Sequence, residues 1–452
     1  MSQLPPSWAC TALAQLTEYV TSGSRDWSRY YAESGALFVR TQDINTNKLA
    51  SPRSIARVAL PPNVEGKRTL IRKGDLLITI TGANVGRCAH VVDDLPEAYV
   101  SQSVALVRLL TPDLGKFIHL QLLAPSDASG KTSLESRAYG MGRPVLNLDN
   151  VRETPLLIPP KEEQQRIADK LDTVLARVYA VNDRLARVAP LLKRFRQAVL
   201  AAATSGRLTA DWRDARPEGD WQTTEVQSIA TVGTGSTPLR SNPSFFADNG
   251  TPWVTSAATS ADVVLQASEH VTAAAIAAHR LKIYPVGTLL VAMYGEGKTR
   301  GQVTELGIAA TINQACAAVV VDETLMVRSF VKLALQSNYL EMRVLAEGGN
   351  QPNLNLAKVK GFSLPMPPLD EQSEIVRRVD ILFAFADRLE ARLQAAQTAA
   401  ARLTPALLAK AFRGELVPQD PADEPAAELL KRLAASQASA PQSRKGRRPA
   451  HP

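Results

Sequence analysis

A long segment of this chain occurs twice. The run that begins at Pro144 recurs at Pro352, at a constant offset of 208 residues. The match continues without a gap to Gly206 and Gly414, and on to Leu208 and Leu416. About a third of the aligned positions are identical, far more than chance allows over an ungapped stretch of this length. The offset is also far longer than the roughly 20–50 residues of a stacked solenoid repeat. The chain is therefore read as two domain-plus-helix units. Upstream the copies match more loosely: residues 74–79 resemble 287–292, Val100-Ser101-Gln102-Ser103 resembles Ile312-Asn313-Gln314-Ala315, and Trp8 and Trp221 each begin a unit.

Each copy ends in a heptad seam. The apolar positions Ile167, Leu171, Val174, Val178, Val181, Leu185, Val188, Leu192, Phe195 and Val199 are spaced four and three apart in alternation, the signature of a helix that pairs with another helix. The offset carries this seam to Ile375, Val379, Leu382, Ala386, Leu389, Leu393, Ala396, Ala400, Leu403 and Leu407. Alanines in the second copy stand where the first has larger residues, which lets two such helices interdigitate. From Ile167 to Val199 the helix spans about 48 Å at 1.5 Å per residue. The stripe could instead pack each helix on its own domain, but so long a seam favours a helical partner. Pro190 and Pro405 interrupt the pattern, and the sequence leaves open whether each bends its helix or breaks it in two.

The helix starts are written locally. A buried strand over 156–158 runs into Pro159-Pro160, and Glu162-Glu163 then favour the positive end of the helix dipole; Pro367-Pro368 and Asp370-Glu371 repeat the arrangement. Gly206 and Gly414 suit helix C-caps. The expected fold class is α+β, with two globular domains separated by two long antiparallel coiled-coil helices in a pseudo-two-fold internal duplication. The first domain covers 1–160 and its helix 161–206. A linker follows over 207–220, then the second domain over 221–368 and its helix over 369–417. The tail, 418–452, is expected to be largely disordered at its Pro/Ser/Ala-rich end.

Composition narrows the function classes. Of 452 residues, 45% are hydrophobic and 21% charged, which excludes wholesale disorder. No apolar run reaches the roughly 18 residues of a membrane helix, and the N-terminus lacks the pattern of a signal peptide. The three cysteines, Cys10, Cys88 and Cys316, are too few and too scattered for a structural zinc cluster and fit a reducing cytoplasm. A net charge of +8, from 52 Lys+Arg against 44 Asp+Glu, suits a polyanionic partner such as DNA.

The doubled Pro-Pro-x-x-Glu-Gln segment (Ile158 to Gln164 and Met366 to Gln372) leads each time into a long heptad helix and follows two unlike domains. With the ending from Leu408 to Pro418, this resembles the specificity subunit of type I restriction-modification systems, the HsdS family. The resemblance covers nearly the whole chain except about its last thirty residues. It implies two target-recognition domains, each reading half of a split, asymmetric double-stranded DNA sequence. It further implies that the helices set the spacing and dock two methyltransferase subunits, and that ATP-dependent restriction subunits could then join. On this reading the chain is not an enzyme, takes no cofactor or metal, and does not engage a membrane.

Three motifs imitate catalysis. Residues 292–299 fit a relaxed phosphate loop, but Arg300-Gly301-Gln302-Val303 reads as turn then strand, and a phosphate loop must open a helix. Asn242-Pro243-Ser244-Phe245 resembles an amino-methyltransferase motif with serine at its third position, and no Gly-rich cofactor loop precedes it. The histidines His90, His119, His270, His279 and His451 show no metal spacing. Two other function classes stay open at this point: a coiled-coil protein adaptor without DNA specificity, and a phosphate-loop NTPase relying on Lys298.

Candidate DNA contacts are basic, hydroxyl or amide residues in loops at matching places in the two domains, because arginine and amide groups carry the donor geometry for base edges. In the first domain these are Arg25, Arg29, Arg40, Gln42, Asn84, Arg87, Arg137 and Arg143. In the second they are Thr237, Arg240, Tyr294, Lys298, Arg300, Asn350 and Gln351. Gln102 and Gln314 align, but their setting reads as apolar strand, so a structural role weighs at least as much as a DNA contact.

Overall fold

The computed structural model describes residues 4–62, 66–126, 131–140, 142, 144–216, 220–294, 299–339, 342 and 354–439. It divides into two compact units, 1–185 with 396–452, and 186–395. No helix among the described residues is long and apolar enough to cross a membrane.

In the first unit the strand Ala9–Ala12 pairs antiparallel with Pro155–Ile158, directly ahead of the long helix Lys161–Thr204. An antiparallel sheet follows the order Thr17–Ser22, Val104–Leu109, Leu76–Thr79, Cys88–His90. Its central strands are buried along their full length because both faces are covered. Leu76, Ile78, Ala105 and Val107 enter a core shared with the helices. The alternate residues Leu77, Val104 and Leu106 enter a second core on the opposite face, as the two-residue period of a strand requires. A second sheet orders Tyr31–Ala32, Arg57–Val58, Ala36–Val39 and Ala98–Val100, its last pair parallel.

The second unit repeats this plan. Gln222–Glu225 pairs with Ser363–Met366 ahead of the long helix Leu369–Ala411. Its larger sheet runs Ala230–Thr234, Cys316–Val321, Leu289–Ala292, Val303–Leu306, Val263–Val264. The register is conserved between the units. Val20 faces Val107 and Ser22 faces Ala105 in the first; Val232 faces Val319 and Thr234 faces Ala317 in the second. Leu77 faces Leu106 as Leu290 faces Ala318. The duplication thus extends through regions where side-chain identity has faded.

The Glu-Gln of the doubled motif now has a physical account. Gln164 donates its side-chain N–H to the Pro159 carbonyl at 2.8 Å, and Gln372 donates to Pro367 at 2.7 Å, satisfying acceptors beside each helix start. Glu163 accepts from the Trp8 indole at 3.0 Å, and Glu371 from the Trp221 indole at 2.9 Å. Each tryptophan that opens a unit is thereby fastened to the first turn of that unit's long helix.

The long helices pack together. In the first unit Ile167, Leu171, Leu175 and Val178 are buried, and the first three share one core with Leu408, Ala411 and Phe412. In the second unit Val199 and Ala203 share a core with Ile375 and Val379, and Phe195 and Leu382 pack against it half-buried. Leu192, Ala386, Leu393 and Ala400 are also buried; Val174, Leu185, Val188, Leu389 and Leu407 are half-buried. Two seam positions differ from expectation: Val181 and Leu403 are 44% and 47% exposed, and Leu175 rather than Val174 is the fully buried member of its turn. A straight helix drifts by about 20° per heptad against a 3.5-residue repeat, so the buried stripe slides off strictly spaced positions. In the second unit Arg196 of the first long helix pairs with Asp387 and Glu390 of the second at 2.5 and 3.2 Å.

Two points that the sequence left open are now described. The helices run unbroken through Pro190 and Pro405, both of which lie at exposed positions, where water can satisfy the carbonyl that a missing N–H leaves unpaired. The tail after Pro418 is not free over its described part. The helix Ala426–Ser439 puts Ala426 and Leu433 into the first unit's core, Gln437 donates to the carbonyls of Ala14 and Thr17, and Arg166 pairs with Asp423 at 2.6 Å. Residues 440–452, where disorder was expected, lie outside the described residues.

Candidate nucleic-acid interface

The two larger sheets end in equivalent loops. In the first unit the Gly86 amide donates to the Thr79 carbonyl at 3.0 Å, closing the Gly-rich loop that leaves the strand Leu76–Thr79. In the second the Gly301 amide donates to the Ala292 carbonyl at 2.9 Å. Both glycines have positive φ, 87° and 82°, which a side chain would disfavour. Beside each loop lies a turn, at 101–103 and 313–315, that presents Gln102 and Gln314 to solvent. The strand setting expected for these glutamines is thus corrected: the chain bends there between two buried strands.

The candidates in the first unit fall into distinct environments. Arg25, Arg29, Gln42 and Arg87 are exposed. The Arg29 guanidinium stands 5.3 Å from the Tyr30 ring. Arg40 is half-buried; its Nε donates to Asp43 at 3.4 Å and its guanidinium lies 5.8 Å from the Tyr31 ring. Asn84 donates to the Asn45 side chain at 3.3 Å. Arg137 ends a short helix that Thr132 caps. Arg143 lies outside the described residues, as do Lys298, Asn350 and Gln351 of the second unit.

In the second unit Arg240 is ion-paired with Glu269 and stacked 5.0 Å from the rings of both Phe246 and Trp253. A guanidinium held this way is oriented before any ligand arrives. The Thr237 hydroxyl donates to the Gln314 side-chain oxygen. Tyr294 is 37% exposed at the strand end. Arg300 follows the loop half-buried, and its Nε is buried with no hydrogen-bond partner among the described residues.

The catalytic imitations resolve physically. Leu289–Ala292 pairs antiparallel with Val303–Leu306, and the described residues Thr299–Gln302 lead into that second strand rather than into a helix; Gly297 and Lys298 lie outside the described residues. Asn242 spends its side chain capping a short turn, accepting from the Ser244 amide and hydroxyl at 3.1 and 2.7 Å. No group of three or more potential metal ligands occurs among the described residues. Burial raises the Cys88 thiol, and it pushes the Cys316 thiol up to about 12, so neither is poised as a nucleophile.

His90 and His119 stand with ring centroids 6.2 Å apart in the first unit. Burial, then the neighbouring His119 and Lys116, pushes His90 down to about 4; burial also lowers His119. Well above pH 6.5 both rings are neutral whether the chain is folded or unfolded, and they add no pH dependence. As the pH falls from there toward 4, the unfolded chain takes up protons that the folded chain refuses, so stability falls. The urea midpoint of the first unit is expected to drop across this window, and less steeply in His90→Gln. Equal slopes would remove His90 from the account.

Comparison with known proteins follows the same lines. Residues 31–188 and 218–396 match the type I restriction modification DNA specificity domain. The specificity subunit of the StySPI type I restriction enzyme of Salmonella potsdam is 28% identical over 486 residues, spanning 96% of each chain. That of EcoKI from Escherichia coli K12 is 27% identical, spanning 97% of each. Among solved structures, the HsdS subunit of Thermoanaerobacter tengcongensis superposes with a TM-score of 0.57 at 21% identity, covering 92% of this chain and 98% of that one. A chain from work on assembly and conformational transition of the type I restriction-modification system gives 0.64 at 19% identity, covering 92% and 100%. These structural likenesses concern the fold.

Proposed function

The chain belongs to the type I restriction-modification DNA specificity family and is the non-catalytic specificity subunit of such a system; from that premise we propose that each unit reads one half of a bipartite, asymmetric DNA sequence. The observation that carries this reading is the repetition of strand register in two units whose loops carry different residues. A common scaffold with divergent loops suits two readers of unlike sequences. The loop residues Arg25, Arg29, Arg40, Gln42, Asn84, Arg87 and Arg137 in the first unit supply the donors, with Thr237, Arg240, Tyr294 and Arg300 in the second. Arg143, Lys298, Asn350 and Gln351 complete the set proposed from sequence. Some of these hold phosphates and fix register, and others read base edges.

The long helices set the spacing between half-sites and dock two methyltransferase subunits, which carry out methyl transfer. ATP hydrolysis and cleavage fall to restriction subunits where they join. The domains proposed are 1–160 and 221–368, joined through helices 161–206 and 369–417 and the linker 207–220. A DNA partner of this kind places the work in the cytoplasm.

The test is a genome-wide map of methylated adenines in cells with and without the chain. Two short, dissimilar motifs at constant separation are expected only with it; methylation at random positions would overturn the reading. Inserting one heptad into each long helix should widen the preferred gap by about 10.5 Å, or about 3 base pairs, and leave both half-sites unchanged. An unaltered gap would remove the helices as a spacer.

A further inference from the structure

We propose that Gln102 and Gln314 are matched base-reading residues, one in each unit, and that each presents its carboxamide to an adenine edge in its own half-site. This rests on the bipartite reading above and names side chains for which the sequence left a structural role equally open.

The turn that carries each glutamine is built the same way in both units. In the first, the Val104 amide closes the turn on the Ser101 carbonyl at 3.0 Å; in the second, the Cys316 amide closes it on Asn313 at 3.3 Å. Each turn is fastened to the strand end that launches the Gly-rich loop. Ile80 donates its amide to the Ser103 carbonyl at 2.9 Å, and Met293 donates to Ala315 at 2.8 Å.

Beneath each turn a second segment crosses so closely that only glycine fits. A Cβ at Gly23 would lie 1.9 Å from the Val100 carbonyl oxygen, and one at Gly235 would lie 1.6 Å from that of Ile312. The Gly23 amide also donates to the Ser101 carbonyl at 3.2 Å. The flanking residues Val100, Val104, Ile312 and Cys316 are all buried, whereas Gln102 and Gln314 are exposed. Both units thus place one amide side chain, at the same point, on a turn held from two sides.

The chemistry of the group selects the ligand. A glutamine carboxamide pairs with adenine in two hydrogen bonds, accepting from N6 and donating to N7. In the second unit the Thr237 hydroxyl already donates to the Gln314 oxygen, which fixes the plane of the amide and leaves that oxygen a second lone pair for the base. Thr237 lies two residues beyond Gly235; two residues beyond Gly23 stands Arg25, exposed. The position that differs between the units reads or tunes what differs between the half-sites, and the position they share reads what is common.

The experiment uses the full complex with its methyltransferase subunits and maps the methylated sequence for the parent chain, Gln102→Ala and Gln314→Ala. Each variant is expected to relax discrimination at one A·T position, by roughly tenfold or more, with the affected positions in opposite halves of the sequence. Because both side chains are exposed, melting temperatures should not move. An unchanged sequence in both variants would overturn the proposal, as would a lowered melting temperature with methylation reduced equally at all sites. If the parent chain itself yields no bipartite sequence, the functional reading falls and takes this one with it; an intact parent sequence with unresponsive variants defeats only the glutamines.

Discussion

Replacement of Asp75 by alanine is expected to destabilise the first unit by about 3–5 kcal/mol. Asp75 and Arg108 are 2% and 8% exposed, and they meet in a two-pronged pair, Nε to Oδ1 at 2.9 Å and Nη2 to Oδ2 at 2.7 Å. Arg108 also donates to the Leu70 carbonyl at 2.8 Å and lies 5.1 Å from the Tyr19 ring. An arginine cannot shed its proton to escape a low-dielectric site. Without Asp75 the charge must stay buried and unpaired or drag its strand toward water. The second unit indicates what the fold itself requires. Thr288 stands in place of Asp75 and Val320 in place of Arg108, yet the turn and the strand pairing are the same. The double variant Asp75→Ala/Arg108→Met should therefore recover most of the loss. Urea unfolding checks both, and a loss below about 1 kcal/mol for the single variant would contradict the argument.

What the sequence revealed and what it hid follow from the range over which each signal acts. The Pro-Pro-Glu-Gln motif and the heptad seam are local patterns, legible because a helix start and a helix face are each written in consecutive residues. The sheets were opaque. Val20 meets Val107 and Val232 meets Val319 across long separations, and no nearby residue announces the register. Gln102 and Gln314 looked like strand because apolar neighbours flank them and neither Gly nor Pro marks the bend. The close crossing beneath the turn involves distant Gly23 and Gly235, which only folding brings there. Within the tail, Leu429, Leu430 and Leu433 form an apolar face that packs on the first unit's core, a partner that no local pattern names. Of the candidate DNA contacts, the stacked and ion-paired setting of Arg240 depends on Glu269, Phe246 and Trp253, which only the folded chain brings together.

Glu371→Ala should be the next most damaging single change, costing the second unit about 3 kcal/mol. Its carboxylate is 1% exposed and gathers Thr209 at 2.7 Å, Arg213 at 2.8 Å and Trp221 at 2.9 Å. Those donors come from the segment after the first long helix and from the start of the second domain, so one residue ties both to the first turn of the second long helix. Burial works against ionisation here. The bonds from Arg213, Thr209 and Trp221 prevail and hold the Glu371 carboxyl below the usual carboxylate range. Its contribution is present above the unfolded value of about 4.3 and is lost as the pH falls through the folded value. The matching Glu163 has bonds from Gln419 and Trp8, and burial pushes its carboxyl up. A raised carboxyl contributes most at low pH and loses that contribution as the pH rises through its folded value. Glu371→Ala and Glu163→Ala should therefore change stability with opposite pH slopes, which amide exchange resolved by unit can read. If the helices set the spacing as proposed, Glu371→Gln in a complex with methyltransferase subunits should also loosen the preferred gap between half-sites while leaving the bases read in each half unchanged, because it slackens the tie between domain and helix without touching the exposed loops. A gap as sharp as that of the parent chain would show that the helix keeps its setting without Glu371.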